Sequence, residues 1–531
     1  MEDFERAFNT AWLDALDPSS SQPSNLTFMQ VSCFVGQFSH EPDSGTGCTF
    51  FTSRSCNDNR LFGFRMEQIY GKYNYLYRLQ RLLNILVKTY SYWSPYPLIS
   101  GPRIKSPNNS ATITYEEAKT TIRRLLTAAV KRRLVSDREI CIYLSGGIDS
   151  TVVCALVKEL GHPLTCLTLG FGNEESVLSE EALATKSAKY YELSHLCRRY
   201  TLDDTINLLE KALYHTEIPI VNPHCIAKYC LSEFAQEKNF AVVLTGEGAD
   251  EILLGYVHFR MDLILELRSK GEEAILTADT LQERIQKKEL PSIILGPMPE
   301  RLPLVRGVPS WQAWHHNRMK KVCHQLKGLW AGEFSDSLDD YAAEAPPRIS
   351  SVRLAQIDWL KHSRKLNNYL IPCLGDRVEM ASSIEGRPPM LDKDFTEFAL
   401  QLPQEYLLDP ETLREKKILY EAFEDIVPPH IRTRSKQPFW APSFQECLTK
   451  TVEGKLLINK YLLKEAIDRA GVWSHAKIQN LLERLQVEEF DAFMDSVFGV
   501  VLSVQILHSL FIENTLVGNP DFPMVDRTPK C

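Results

Sequence analysis

The ten residues Cys141-Ile-Tyr-Leu-Ser-Gly-Gly-Ile-Asp-Ser150 constrain this chain more than any other stretch. Segment 138–144 is apolar-rich with a β-branched residue and reads as a buried strand. Segment 151–160 carries Val152, Val153, Leu156, Val157 and Leu160 at helical spacing and stops at Gly161. Segment 145–150 is therefore a tight strand-to-helix turn. Its two glycines leave backbone N–H groups free to face an anion, and the helix start adds positive partial charge. Ser145 and Ser150 can donate hydroxyls, and Asp149 can hold a cation against the same anion. That chemistry suits a pyrophosphate.

Around this turn the chain alternates between strand and helix. Segment 115–131 reads as a helix, 164–169 as a strand ended by Gly170, 179–191 as a helix and 196–202 as a short strand. A helix from Leu202 to about His215 follows, then a helix over 223–238 and a buried strand over 240–245. This pattern predicts an α/β fold with a doubly wound parallel sheet, whose ligands sit at the carboxyl ends of the strands. Beyond Tyr256 the chain becomes helical, interrupted by polar, Pro-rich stretches at 291–309 and 343–348. Its most apolar run, 497–512, is broken by Ser503, Gln505, His508 and Ser509 and reads as a core helix too short to span a bilayer.

The first hundred residues follow another pattern. Phe4, Phe8, Trp12 and Leu16 suggest a helix over 1–16, and 26–38 looks like a strand. A second apolar run lies at 48–51, and 73–92 reads as an amphipathic helix. The Pro-rich stretch 94–109 reads as a linker, which places the main boundary near residue 112 and makes 1–112 a small α+β region. The net charge of −8 leaves no basic footprint for nucleic acid. Thirteen cysteines without a CxxC pair fit free thiols in a reducing, cytoplasmic setting. The acidic start Met1-Glu-Asp-Phe-Glu does not read as a secretory signal. No membrane partner is expected.

Thr245-Gly-Glu-Gly-Ala-Asp-Glu251 follows the fourth strand as the first turn follows its own. Asp250 can be a second cation ligand, and it converges with Asp149 if their strands are neighbours. Mg²⁺ takes one or two carboxylates together with phosphate oxygens and water, so this pair is chemically sufficient. Glu247, between two glycines at the strand end, either faces an incoming substrate or is a solvated loop carboxylate.

The Ser145–Ser150 word resembles the PP-loop of N-type ATP pyrophosphatases, which cut ATP between the α and β phosphates. It differs from a Walker A loop, which carries a phosphate-reaching lysine. Most of 114–515 resembles the synthetase domain of the asparagine synthetase family. The matching words are TGEGADEILLGY from Thr245, GDRVEMASSIEGRPPMLD from Gly375, EKKILYEAF from Glu415 and RSKQPF from Arg434, with 113–520 as the domain.

The resemblance implies that Leu144, Leu169, Thr245 and Gly246 hold the adenosine part of ATP. It implies that Ser145, Gly146, Gly147, Asp149 and Ser150 hold pyrophosphate and Mg²⁺, with Asp250 as second metal ligand. Glu247 matches a glutamate needed to form the aspartyl-adenylate, and Lys436 a lysine that stabilises charge in adenylation and amide formation. Independently of the family, a carboxylate attacking a phosphate ester meets a like charge, which Mg²⁺ and lysine offset. Asp376 and Glu385 match positions that touch substrate or act as base in the related β-lactam synthetases, whose tyrosine stands where this chain has Glu247. Asp376, Glu385 and Arg387 read equally well as a structural ion-pair set.

The chain departs from the glutamine-using members of the family. Those begin with a catalytic Cys at position 2, whose α-amine serves as base; here position 2 is Glu2. Cys33-Phe-Val-Gly36 and the segment 69–75 are only faintly similar to the glutaminase, and its Arg-Gly-Pro-Asp segment is absent. A shortened glutaminase-like region over 1–112 is expected. Its nitrogen source is then free ammonia, a substrate amine, or ammonia from a partner; a homodimer is compatible with the sequence. The readings in play are an ATP-dependent amide ligase acting on aspartate or a related acid, a β-lactam-synthetase-like or other ligase of specialised metabolism, a different PP-loop enzyme that adenylates a nucleotide or tRNA, and an inactive regulatory paralogue.

Overall fold

The structure is a computed structural model. It describes residues 50–52, 88–90, 93–101, 104–106, 112–171, 180–271, 349–362, 366–433 and 441–513, with short pieces between 273 and 331. Two compact units divide at Ser94 and Pro95, where the sequence placed a boundary near residue 112. In the first unit, β1 (Phe50–Thr52) pairs antiparallel with β2 (Lys88–Tyr90). The end of the helix expected over 73–92 is thus a strand, for which the β-branched Thr89 and aromatic Tyr90 are suited. The helix expected over 1–16 and the strand over 26–38 lie outside the described residues.

The second unit begins inside the stretch read as a linker. Residues Pro95–Ser100 form helix α1, which packs against the helix Lys393–Gln401. Helix α2 (Tyr115–Arg133) starts at a capping box, in which the Thr114 hydroxyl accepts from the Glu117 N–H and the Glu117 carboxylate accepts from the Thr114 N–H. Its Ala118, Ile122, Leu126, Ala129 and Val130 recur at three- and four-residue steps and are buried.

Then comes the alternation that the sequence predicts. β3 (Ile140–Tyr143), α3 (Ile148–Glu159), β4 (Thr165–Phe171), α4 (Glu181–Tyr190) and β5 (Ser194–Tyr200) form the first half. α5 (Leu202–Thr216), α6 (His224–Glu237), β6 (Val242–Leu244), the single turn α7 (Ala249–Ile252) and α8 (Val257–Arg268) follow. A small hairpin, β7 (Leu304–Val305) with β8 (Val308–Pro309), lies within the first polar stretch, 291–309. Helix α9 (Ser351–Ile357) runs into π-helical turns that end at Asp376, and α10 (Arg377–Ala381) leads to β9 (Glu385–Arg387).

The sheet order is β5-β4-β3-β6-β9, and every pairing is parallel. On one face Cys141, Tyr143, Leu167, Leu169 and Phe171 pack with Ala227, Cys230, Leu231 and Phe234 of α6. On the other, the Cys154 thiol of α3 lies 4.0 Å from Cys166. Helices cover both faces, so the doubly wound α/β reading holds, with a helical second half. From β3 the chain steps outward through β4 and β5, then returns to place β6 on the far side of β3. The reversal point lies between β3 and β6, where open α/β sheets bind ligands.

Three further helices matter below: α11 (Lys393–Gln401), α12 (Lys417–Ala422) and α13 (Ala492–Phe511). Phe498, Val501, Leu502 and Ile506 of α13 share a core with Leu209 and Leu213 of α5 and with Phe444, Tyr461 and Ile478. At 20 residues, with a mean hydropathy of 1.5 over its most apolar window, α13 is long and apolar enough to cross a membrane, unlike the shorter run read from sequence. In this fold 61% of that window is buried inside the protein.

Candidate active site

The first corner is held open by its own hydroxyls. The Ser150 Oγ accepts from the Ser145 N–H at 3.1 Å, and the Ser145 Oγ accepts from the Gly147 N–H at 3.1 Å. The two hydroxyl oxygens lie 3.0 Å apart. Gly147 caps α3 with extended backbone and no side-chain hydrogen bond. The Thr151 hydroxyl ties back to the Gly147 carbonyl at 2.7 Å. This start of α3 keeps the partial positive charge that favours an anion.

The second corner presses directly on the first. A Cβ on Gly246 would lie 2.7 Å from the Ser150 backbone nitrogen and 2.9 Å from the Asp149 Cβ, so only glycine fits between them. Gly248 has φ +92°, a left-handed conformation that turns the chain from β6 into α7. Thr245 is buried and donates its N–H to the Arg387 carbonyl at 3.3 Å, which fastens the corner to β9. Leu144 and Leu169, expected under the adenosine, are buried at the carboxyl ends of β3 and β4.

Asp149 and Asp250 do converge, and they do so on one side chain. The Lys416 Nζ lies 2.8 and 2.7 Å from the two Asp149 oxygens and 2.9 Å from an Asp250 oxygen. Lys416 is 2% exposed. Burial alone pulls its pKa down, but the charges of Asp149 and Asp250 outweigh burial and hold the ammonium above its ordinary value. The lysine is aimed by the backbone, with φ +51° at Lys416 itself, and by a buried ion pair between its neighbour Glu415 and Arg260 of α8. Burial lowers the Arg260 pKa to about 10. The Arg414 guanidinium stacks 3.8 Å from the Tyr420 ring, so three successive residues are pinned.

Two hard carboxylates meeting at one cation position are donors of the kind Mg²⁺ takes, and the residues therefore fit that ion. Among the described residues no group of three or more His, Cys, Asp and Glu side chains makes an all-protein cage. An ion here would complete its shell from phosphate oxygens and water.

Beside this pair lies a second charged cluster. Glu247 accepts from the Lys228 ammonium of α6 at 2.8 Å. The Lys228 Nζ also sits 5.9 Å from the centre of the Tyr143 ring. Burial lowers the Lys228 pKa, and the Glu247 charge more than restores it. Glu379 of α10 is 5% exposed and lies within electrostatic range of Lys228, Glu247 and Asp376. Burial pushes its pKa up to about 7 against the pull of Lys228. Gly386 leaves the space that this carboxyl occupies, because a Cβ there would collide with it.

The other expected residues divide. Asp376 is exposed and close enough to Glu379 to raise its pKa. The side chains of Glu385 and Arg387 do not join the corner, which Arg387 touches through its backbone carbonyl alone. β9 runs parallel to β6 with Glu385 opposite Val242, so Glu385 lies at the amino end of that strand, away from the loops. Its carboxylate pairs with Arg387 at 2.8 Å, and Arg387 donates to the Arg133 and Val135 carbonyls after α2. That is the structural ion-pair alternative. Lys436, the Arg434–Phe439 word, Cys33 and the segment 69–75 lie outside the described residues.

Three charged residues were not singled out from sequence. Lys416 stands in a word that was recognised, but nothing in that word says which of two adjacent lysines turns inward. Lys228 shares the buried face of α6 with Cys225, Leu231, Ser232 and Ala235, and a charge at those three- to four-residue steps was a legible signal. Glu379 lies between Val378 and Met380, inside the third word, without any spacing that marks it.

The asparagine synthase family model matches residues 121–509. An amidase, chyE, of Penicillium rubens is 26% identical over 361 residues, covering 62% of this chain and 53% of its own. Asparagine synthetase [glutamine-hydrolyzing] 1 of Bacillus subtilis is 27% identical over 330 residues, covering 60% and 49%. A putative asparagine synthetase of Mycobacterium bovis is 25% identical over 444 residues, covering 81% and 63%. The chain spans about half the length of the first two relatives.

Proposed function

Because the chain belongs to the asparagine synthase family, we propose that it forms an amide bond from a carboxylic acid and ammonia or an amine, at the expense of ATP. The observation that carries this reading is the meeting of Asp149 and Asp250 on one cation position beside the glycine turn.

The steps follow from the residues. The N–H groups at the start of α3 and the two serine hydroxyls take the pyrophosphate portion of ATP. Asp149 and Asp250 would hold Mg²⁺, which would supply charge neutralisation across the phosphates. The carboxylate oxygen attacks the α-phosphorus, the bond to pyrophosphate breaks, and an acyl-adenylate forms. Glu247, at the mouth of the second corner, takes part in that step, and Lys436 offsets charge. The amine then attacks the acyl carbon, and AMP leaves with the electron pair.

Aspartate is the first acid to try, with ammonia and glutamine as alternative nitrogen sources. The likeness to an amidase favours widening the set to other acids. The test is product analysis with ATP, Mg²⁺, each acid and each nitrogen source. AMP and pyrophosphate appearing together with an amide are expected. ADP and phosphate as products would overturn the reading, and tight ATP binding without any pyrophosphate release would favour the regulatory paralogue.

A further inference from the structure

The position at which Asp149 and Asp250 converge is held by a cation of the chain itself. The Lys416 Nζ lies 2.8 and 2.7 Å from Asp149 Oδ1 and Oδ2 and 2.9 Å from Asp250 Oδ1, so its three N–H donors face three of the four carboxylate oxygens. Both carboxylates are fixed by glycines. The Asp149 Cβ lies against Gly246, and Asp250 Oδ1 fills the space that a Cβ on Gly255 would take. The backbone leading to Lys416 is fixed as well, by the Glu415–Arg260 pair and the Arg414–Tyr420 stack. What can move is the unbranched four-carbon stem of the lysine.

A divalent ion entering between the aspartates meets donors already engaged and a positive charge at contact distance, in a site where water screens little. Polyphosphate changes that balance. Its oxygens complete the shell of the ion and offer the ammonium a second set of acceptors at the glycine turn beside Asp149. Resting on the ligase reading above, we infer that Lys416 is an internal counter-ion that closes the aspartate pair to free divalent cations and yields it only to a cation arriving with polyphosphate. The lysine keeps two largely buried carboxylates compensated, because without it they would face each other as like charges. It also couples metal to nucleotide, so that each binds well only with the other.

Binding of Mn²⁺, read by electron paramagnetic resonance with neither acid nor amine present, tests this without turnover. Lys416→Met removes the ammonium and keeps a stem of similar length. It should bind free Mn²⁺ about tenfold or more tightly than wild type, and its melting temperature should rise with added Mn²⁺ where that of wild type barely moves. Asp149→Asn in the Met background should abolish the gain, which locates it at this pair. For the Mn²⁺–ATP complex the gain should vanish, since the phosphates then lack their lysine partner. Lys416→Arg keeps the charge and should stay within about threefold of wild type for free Mn²⁺.

Lys416→Gln, whose amide can still donate to one carboxylate, should follow the Met variant and serves in its place if that one does not fold. Unchanged affinity for free Mn²⁺ in both neutral variants would overturn the proposal, as would equal gains for Mn²⁺ and Mn²⁺–ATP or a matching gain in Lys416→Arg. Affinity lost for both ligands in step with stability would mean a purely structural lysine. Absence of pyrophosphate release by wild type with every acid would count against the ligase reading alone.

Discussion

At the scale of single residues, the Lys416 ammonium between Asp149 and Asp250 organises the site. Asp149→Ala should reduce ATP-dependent turnover by about a hundredfold or more, because charge neutralisation at the phosphates is lost. Lys416 keeps Asp250, so the variant should lose only about 1–2 kcal/mol of stability; denaturant unfolding beside a turnover assay checks both. Lys416→Met is the harsher change, since it leaves two carboxylates facing each other at the cost of about 3 kcal/mol, read from the same unfolding curve. The convergence of the aspartates was legible because each follows a glycine turn at a strand end. The lysine was not, because its inward direction is set by a left-handed backbone and by the distant Glu415–Arg260 pair. Glu379 gives a pH signature. Its folded pKa is raised, so the folded state holds the proton to higher pH than the unfolded chain does. Its contribution to stability is therefore favourable at low pH and lost as pH climbs through about 7. Glu379→Gln should flatten the fall of melting temperature between about pH 5 and about pH 8.

At the scale of elements, everything depends on β3 and β6 being neighbours, with Cys141 opposite Val243 and Ile142 opposite Leu244. This pairing puts the two glycine corners side by side, and Gly246 lets them touch. Gly246→Ala should push the Ser150 amide and Asp149 away from the second corner. ATP affinity should fall about tenfold or more while helical circular dichroism is unchanged; equilibrium binding and a spectrum test this. The alternation of strands and helices could be read from 115 to 245 because buried parallel strands are continuous apolar runs and their helices keep a period near 3.6. β9 escaped, since Glu-Gly-Arg has no strand propensity and is held in the sheet by its backbone pairing with β6. Its placement also explains why Glu385 and Arg387, although they stand inside the recognised word, pair with each other and tie β9 to the end of α2 instead.

At the scale of the second unit, one helix ties the late chain to the sheet-bearing half. On α13 the Ser503 hydroxyl accepts from the Ile220 N–H at 3.1 Å, just before α6. The Gln505 amide donates to the Tyr461 and Ala466 carbonyls at 3.0 and 3.2 Å. Gln505→Leu should leave those buried carbonyls unpaired and lower unfolding free energy by about 2 kcal/mol, with ATP affinity retained; calorimetric melting and ATP titration separate the two. Sequence marked this helix as core through its apolar run, but its start lies earlier, at Ala492, where the Asp491 side chain caps it and Asp495 and Ser496 interrupt the apolar pattern. The central claim is that the two corners are one nucleotide site. ATP affinity in the presence of Mg²⁺, measured for wild type, Asp149→Ala, Asp250→Ala and the double variant, tests it most directly. One shared site predicts that each single change removes most of the affinity and that the double change adds little more. Losses that simply add, or full affinity in either single variant, would contradict it.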